Sequence, residues 1–593
     1  MSDSFIRLSQ ETSPRILFPR APIVRFLPET EKCCGRRLDV QKTRKKKVHS
    51  MTGPIFIHET VRQCRSCSKV FFSEELERLV QRRCNVAYDV LVFVGKALFQ
   101  RHKTISEVRS ELAARNTLIS KAEIGYLGRK FILYLAAAHR RAAPRICQVM
   151  KQAGGYILHL DAMHDSDAPA LMTGIDSLSK IVLANVKIPS EHADHIIPFL
   201  KEIKVRYGTP RACVHDMGTG ICKAVTKVFP DTLDFICHFH FLRDIGKDFI
   251  EPAYRELRKY MHKCKINSTL SALIRDTRQR LNEKSSNSAM PAKVLKGSDF
   301  TEDPEILPLA STYSLAMWVL RGKSSGDGYG FPFDRPLLNF AERLLELDDR
   351  IPELMDSFQI ACKENKSVFK LTEQITKACK DPGFHQVVDE LYWRCQIFDL
   401  LRNVMRIALP GGRKGLNDEG EDISMSTIRQ GVQQFRQEIE NDVEIKNDHL
   451  IQKMMVQIEK YGEKLFSDPI EVPTSNGTTT IYPQRTNNIL EQFFRCLRRG
   501  YRRKTGNNSM SQALQAMIAD TPLVKNLDNP DYMKILLEGK SGFEELFAEL
   551  DQTSDDIVVD LQFGADRILP GFQSLIDDPN MPDQILNAFD RMP

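Results

Sequence analysis

The period of the apolar positions changes several times along this chain, and each change marks a different kind of element. The stretch PIFIHETVRQC alternates apolar and polar residues and predicts a strand leading to Cys64. From Tyr88 to about 150 the period becomes helical. YDVLVFVGKALF reads as an apolar helix, and SEVRSELAAR and KAEIGYLGRKFILYLAAAHRR follow, separated by a polar turn. Thr104-Ile-Ser-Glu107 and Ser120-Lys-Ala-Glu123 have the S/T-x-x-E form of a capping box, which fixes both helix starts. Strands return at GGYILHLDA (154–162) and at ALMTGIDSLSKIVLANVKI, which reads as two strands joined at a Ser-rich turn. An amphipathic helix, EHADHIIPFLKEIKVRYG, leads to the short strand RACVHD (211–216). From about 250 to 473 the period is helical again, broken by the loops RGKSSGDGYGFPFD and LPGGRKGLNDEGED.

Composition narrows the picture without settling it. At 593 residues and 42% hydrophobic the chain can bury several cores. No run of about 18 apolar residues occurs, and the first residues lack the apolar segment of a secretory signal, so an intracellular, cytoplasmic protein is expected. The 14 cysteines show no disulfide framework, which favours reduced thiols and one metal site. The net charge of +7 is unevenly spread: eight bases face one acid between Lys32 and Lys47, and seven face one between Arg485 and Lys504. Residues 526 to 593 carry 15 acids and four bases. Two basic segments and an acidic tail point to a polyanion, with nucleic acid the expected partner. Solvated helix faces would give the same counts.

Three places carry candidate chemistry. The segment around Cys33, Cys34, Cys64 and Cys67 has the outline of a zinc ribbon, in which Cys64 and Cys67 form an intact C-x2-C knuckle. The other knuckle is irregular, with adjacent Cys33 and Cys34 and with Glu31 where a ligand is expected. Two neighbouring thiolates reach one ion only with strain, so the alternatives are Cys34, Cys64 and Cys67 completed by His49 or His58, or no metal. The two capped helices form either a DNA-binding helix-turn-helix or a plain helical hairpin. Finally, Asp161 and Asp216 end neighbouring strands, and Asn488-Ile-Leu-Glu491 opens a helix carrying Arg495, Arg498, Arg499, Arg502, Arg503 and Lys504. Acids at strand carboxyl ends meet in the crevice of an α/β sheet and suit a divalent cation, and the arginines suit a phosphate backbone. Turn and helix caps are the alternative duty for Asp216 and Glu491, and Asp165, Asp167 and Asp176 lie close enough to compete.

The order HLDA, VHDMGTG, ICHFHFLRD, a long helical stretch and TNNILEQFFRCLRR resembles DDE transposases with an RNase H-like core. The likeness is to the bacterial insertion-sequence type with a zinc-ribbon and helix-turn-helix N-terminus and a C/D-x2-H motif, and more distantly to Mutator-like enzymes; it spans about Cys33 to Met517. It implies a multidomain α/β chain: a leader (1–30), a zinc-ribbon-like segment (31–80), a helix-turn-helix region (81–150) and the first part of an RNase H-like mixed sheet (151–250). An all-α insertion (251–480), a returning helix with Glu491 (481–525) and an acidic tail (526–593) complete it. The family's catalytic acids correspond to Asp161, Asp216 and Glu491, and its C-x2-H motif, placed near the site, to Cys237 and His240. The implied cofactor is a pair of Mg2+ ions, with Mn2+ as the substitute, and the ribbon implies Zn2+. The implied partners are double-stranded DNA, both terminal inverted repeats and target, and further copies of the chain in a synaptic complex at the nucleoid. A catalytically silent DNA-binding regulator and a structure-selective nuclease are the competing readings. The intact acid trio speaks against the first, and the N-terminal modules against the second.

Overall fold

The computed structural model describes residues 21–284, 289–297, 305–361, 366–412, 424–474, 477–553 and 580–581, without the side chains of 357–361. The chain divides into two units: Met1–Asp234 with Pro469–Pro593, and Phe235–Asp468.

The first unit opens with a small sheet in the order β1 (Ile23–Phe26), β5 (Gly53–Gln63), β4 (Asp39–Ser50), to which β6 (Val70–Phe71) adds; β2 (Lys32–Cys33) and β3 (Arg36–Arg37) form a separate minimal hairpin. The basic run KTRKKK is therefore a strand, paired antiparallel with the alternating stretch that follows it. Its inner side, with Phe26, Val48 and Ile57, packs on Leu76 of α1 (Glu74–Leu79) and on Val80.

Three helices come next: α2 (Tyr88–Gly95), α3 (Ile105–Ala114) and α4 (Lys121–Gln152). Thr104 and Glu107 make the complete capping box expected, and Ser120 Oγ accepts from the Glu123 amide at 3.1 Å. The third helix runs for 32 residues, and Ile124, Leu127, Phe131, Leu135, Ala142 and Ile146 bury one side of it. Only a narrow strip including Lys121, Tyr126 and Arg129 is exposed in its first turns.

The central sheet has the order β11 (Leu233–Ile236), β10 (Ala212–His215), β7 (Ile157–Met163), β8 (Ala170–Asp176), β9 (Val182–Ile188). β7, β8 and β9 run antiparallel in sequence, whereas β10 lies parallel to β7. β8 is buried along its whole length, as a strand covered on both faces must be. Helices α5 (Ala193–Tyr207) and α6 (Thr219–Val228) supply the crossovers.

Residues 526–553, expected as the start of an acidic tail, are folded into this unit. Asn526 pairs with both backbone groups of Val182 on the edge strand β9, at 2.7 and 2.9 Å. Tyr532, Phe543, Phe547 and Leu550 are buried. Asp551 accepts from the hydroxyls of Tyr88 and Tyr134. Acids such as Asp531, Glu538 and Glu545 are exposed while Asp551 is turned inward, so charge counting alone suggests a tail. The remainder of the expected tail lies almost wholly outside the described residues.

The second unit is helical: α7 (His238–Lys263), α8 (Ile266–Lys284), α9 (Met290–Leu295), α10 (Ile306–Arg321), α11 (Pro336–Ala361), α12 (Lys366–Cys379), α13 (Pro382–Met405), α14 (Met425–Asn441) and α15 (His449–Leu465). Phe249, Phe340, Phe384 and Phe398 are among its largest fully buried side chains. Arg335 grips Asp399 in a bidentate pair at 2.7 and 2.6 Å. The chain then returns to the first unit through the hairpin β12 (Ile470–Thr474) and β13 (Gly477–Ile481) into α16 (Asn488–Thr505), followed by α17 (Ser511–Ala516), α18 (Pro530–Leu537) and α19 (Phe543–Thr553). The helical excursion is thus 235–468, where 251–480 was expected.

Candidate functional site

The parallel register of β10 on β7 pairs Ala212 with Ile157 and Val214 with His159. Two residues further along, the same register sets Asp216 opposite Asp161, at the carboxyl ends of adjacent parallel strands. Burial and then the charge of Asp216 push the Asp161 carboxyl up to about 7; the Ala162 amide, which donates to Asp161 Oδ1 at 2.8 Å, opposes them, and Glu491 and Glu191 add to the rise. Carboxylates that repel one another in this way are a receptor for positive charge.

Glu491 arrives 275 residues after Asp216 (491 minus 216), and a single asparagine explains how it is held. Asn487, fully buried before the first turn of α16, takes a 2.9 Å hydrogen bond between its Oδ1 and His159 Nδ1 and donates from Nδ2 to Leu160 O at 2.9 Å. The start of the helix is thereby fastened to β7 immediately before Asp161. Glu491 lies one turn further on.

A fourth acid was not singled out from the sequence. Glu191 sits in the loop between β9 and α5, against the VHDMGTG turn. A Cβ on Gly218 would lie 3.1 Å from Asp216 Oδ1 and 3.6 Å from Glu191 Oε2, and one on Gly220 would come within 1.8 Å of the Glu191 carbonyl. The two glycines therefore allow the two acid-bearing loops to approach. His164 Nε2 contacts Glu191 Oε1. The G-x-G pattern was the available signal, but it names no partner.

His215 sits behind Asp216, wholly buried. Its Nδ1 lies 2.6 Å from the Asp216 carbonyl and its Nε2 2.6 Å from Asp234 Oδ1. Burial alone would lower its pKa, but the Asp234 carboxylate raises it to about 10. Both nitrogens then donate, and the imidazolium pins the peptide that carries Asp216. Two of the three competing aspartates are otherwise engaged. Asp176 closes the β8–β9 turn by accepting from the amides of Ile157, Leu178 and Ser179, and Asp165 accepts from the Met510 amide.

On α16, Arg495, Arg498, Arg499, Arg502 and Arg503 are exposed. Lys504 is not part of that face. Nine residues past Arg495 is roughly 900° of helical rotation, half a turn out of phase. Lys504 instead stands 5.7 Å from the Phe99 ring, lining a cavity of about 350 Å³ with His102 and Tyr501, and burial lowers its pKa.

Cys237 and His240 lie at the start of α7, in the second unit, and both are buried. A packed helix start accounts for them, and they are not part of the acid cluster's own unit.

The N-terminal cysteines form the tightest ligand group among the described residues: one sulfur each from Cys33, Cys34, Cys64 and Cys67, all within 4.8 Å of one another. Cys33 Sγ is 3.8 Å from Cys34 Sγ and 3.6 Å from Cys67 Sγ. Zn–S bonds of about 2.3 Å in a tetrahedron place sulfurs about 3.8 Å apart, so the spacing fits a metal such as zinc. The expected strain is visible and local: Cys34 and Gly35 have φ of 50° and 75°, a turn of left-handed residues that lets adjacent thiols converge. Cys33 therefore takes the place expected for a histidine. His58 lies in mid-sheet opposite Lys45, and His49 pairs with Pro54 at the other end of the hairpin. Glu31 offers only its carbonyl, to Leu38 at 3.0 Å. Amides of Cys67 and Ser66 draw the Cys64 thiol down to about 7, while hydrogen bonding to Cys67 pushes Cys33 up to about 12 and Cys34 is raised as well.

No helix of the described residues is long and apolar enough to cross a membrane. No known protein-family model matches the chain, and no curated protein matches it in sequence.

Proposed function

We propose that this chain is a DDE-type transposase, cutting and joining DNA phosphodiesters at an RNase H-like core. One observation carries the reading: Asp161, Asp216 and Glu491, from three distant parts of the chain, share one electrostatic neighbourhood. The strand order supports it, with three antiparallel strands and a fourth set parallel beside the first. So does the large helical excursion between the second acid and the third.

The donor set is all carboxylate, which suits a hard cation such as Mg2+. When bound, that cation supplies Lewis-acid activation of the attacking oxygen and charge compensation at the leaving oxygen. Asp161, Asp216 and Glu491 would hold it, with Glu191 in reach as a fourth ligand or, with His164, as a proton carrier. His215 fixes the Asp216 peptide, and Asn487 fixes the head of α16. The arginines from Arg495 to Arg503 would grip the phosphate backbone and set the register of duplex DNA without reading its sequence. The four-cysteine knuckle would brace the N-terminal arm with zinc.

The test uses duplex DNA carrying the inverted repeats that flank the gene, Mg2+ and the full-length protein, with Asp216→Ala and Glu491→Ala alongside. Nicking at the repeat ends should fall at least a hundredfold in both variants. Equal cleavage by either variant removes these acids from the site, and no cleavage by the wild type, with binding retained, leaves a DNA-binding regulator.

A further inference from the structure

The outer face of the N-terminal sheet has a composition that duplex binding does not explain. In β1, Val24 and Phe26 face the small core, so Ile23 and Arg25 face outward; in β5, Ile55, Ile57 and Val61 face inward, so Phe56, His58 and Thr60 face outward. In β4, Val48 is in the core, Lys46 reaches the Cys84 carbonyl and Arg44 lies over Phe72, leaving Thr43, Lys45 and Lys47 outward. The registers assemble these side chains into rows across three strands. Arg25, His58 and Lys45 form one, and Ile23, Phe56 and Lys47 the next. At about 4.8 Å between strands, each row is roughly 10 Å wide.

Among the described residues of β1, β4 and β5 no acid shares this face. Glu59, the acid of β5, is buried on the opposite side, and Asp39, at the far end of β4, is paired with Arg65. Among the described residues none of Arg25, Lys45 and Lys47 is held in an ion pair. The centre of the face is apolar: Phe56 is 45% exposed and Ile23 62%.

We infer that this face binds single-stranded DNA, with a base stacked on Phe56 and phosphates on Arg25, Lys45 and Lys47. The positive charge alone would suit any nucleic acid. The exposed ring in its middle decides between forms, because an unpaired base offers its π-face, whereas a duplex keeps its bases stacked on one another and would set phosphates against Phe56 and Ile23. The choice of DNA over RNA rests on the transposase reading; the choice of a single strand does not. In that reading the surface holds a strand separated from its complement near a transposon end.

Fluorescence anisotropy of the full-length protein in Mg2+-free buffer without chelator, with a labelled 20-nucleotide dT strand, tests this; omitting Mg2+ keeps the acid cluster out of the measurement, and omitting chelator leaves the four-cysteine group undisturbed. Phe56→Ala should weaken dT binding about tenfold and Phe56→Trp should restore it, since stacking contributes roughly five- to hundredfold per base. Binding of a 20-base-pair duplex should be unchanged by either. Replacing Lys45 and Lys47 with Gln should flatten the slope of log K against log salt by about 1.4 for the single strand. Wild-type dT affinity in Phe56→Ala, or equal losses for strand and duplex, would overturn the single-strand assignment. Tighter binding of an rU strand would overturn the choice of DNA. Failure of the cleavage test above would leave the dT result standing, and the reverse also holds.

Discussion

Asp161→Asn should make the protein more stable in the absence of divalent cations. In the native state burial and the charge of Asp216 hold the Asp161 carboxyl at about 7, against an ordinary 3.8. A carboxyl raised in this way favours the native state below pH 3.8, and that contribution is lost as pH rises through 7, because ionisation is then easier in the unfolded chain. The full gap corresponds to about 4 kcal/mol. Asp161 is half-buried, and water reaching it screens part of the repulsion, which brings the expected value to about 2 kcal/mol. At pH 8 in EDTA, thermal unfolding of Asp161→Asn should therefore lie roughly 2–4 °C above the wild type, for a body of this size. The advantage should vanish as pH approaches 4. Adding 10 mM Mg2+ should reverse the order, since the cation stabilises the form with the complete carboxylate set. An asparagine variant less stable than wild type at pH 8 in EDTA, or an equal response of both to Mg2+, would refute the account of Asp161 as the strained member of a cation site.

Three other perturbations probe the supports of the site. His215→Gln removes the buried imidazole that bridges Asp234 and the Asp216 carbonyl and should cost about 3 kcal/mol in chemical denaturation. Because His215 is raised to about 10, its contribution is complete below pH 6.5 and lost between there and 10, so the wild type should weaken across that window through a slope the variant lacks. Asn487→Leu removes both hydrogen bonds to β7; about 2 kcal/mol of stability should go, and cleavage should fall further than folding, read as activity per folded molecule. Cys67→Ser should abolish bound zinc, measured by elemental analysis of protein purified without chelator, where the wild type holds one equivalent.

The sequence exposed some of this architecture and concealed the rest for identifiable reasons. Strands β7 to β10 and the two capped helices were legible because their signals are local, in alternation and in hydroxyl–carboxylate spacing. The convergence of Asp161 and Asp216 was legible because each stands close to the carboxyl end of a strand, although β7 continues to Met163, two residues past Asp161. Glu191 was not, because an acid in a loop has no period, and only the clash a side chain at Gly220 would make reveals what that glycine admits. Lys504 was misplaced by counting bases along the helix without their phase. The 526–553 segment was misread from net charge, which ignores that Tyr532, Phe543 and Phe547 recur at core spacing. The cysteine group was legible as a metal candidate, but the part played by Cys33 waited on the left-handed turn at Cys34 and Gly35.

The tether from Asn487 to β7 also fixes a moment in the life of each molecule. A ribosome adding about 5–20 residues per second delivers Asp216 and then needs roughly 14–55 s more to deliver Glu491. Throughout that interval the nascent protein carries two acids, no anchor for a third, and no grip on DNA from the arginine helix. Under the proposed chemistry a chain truncated by a premature stop anywhere between them cannot cut DNA, and a cell's exposure to cutting is limited to molecules translated past Glu491.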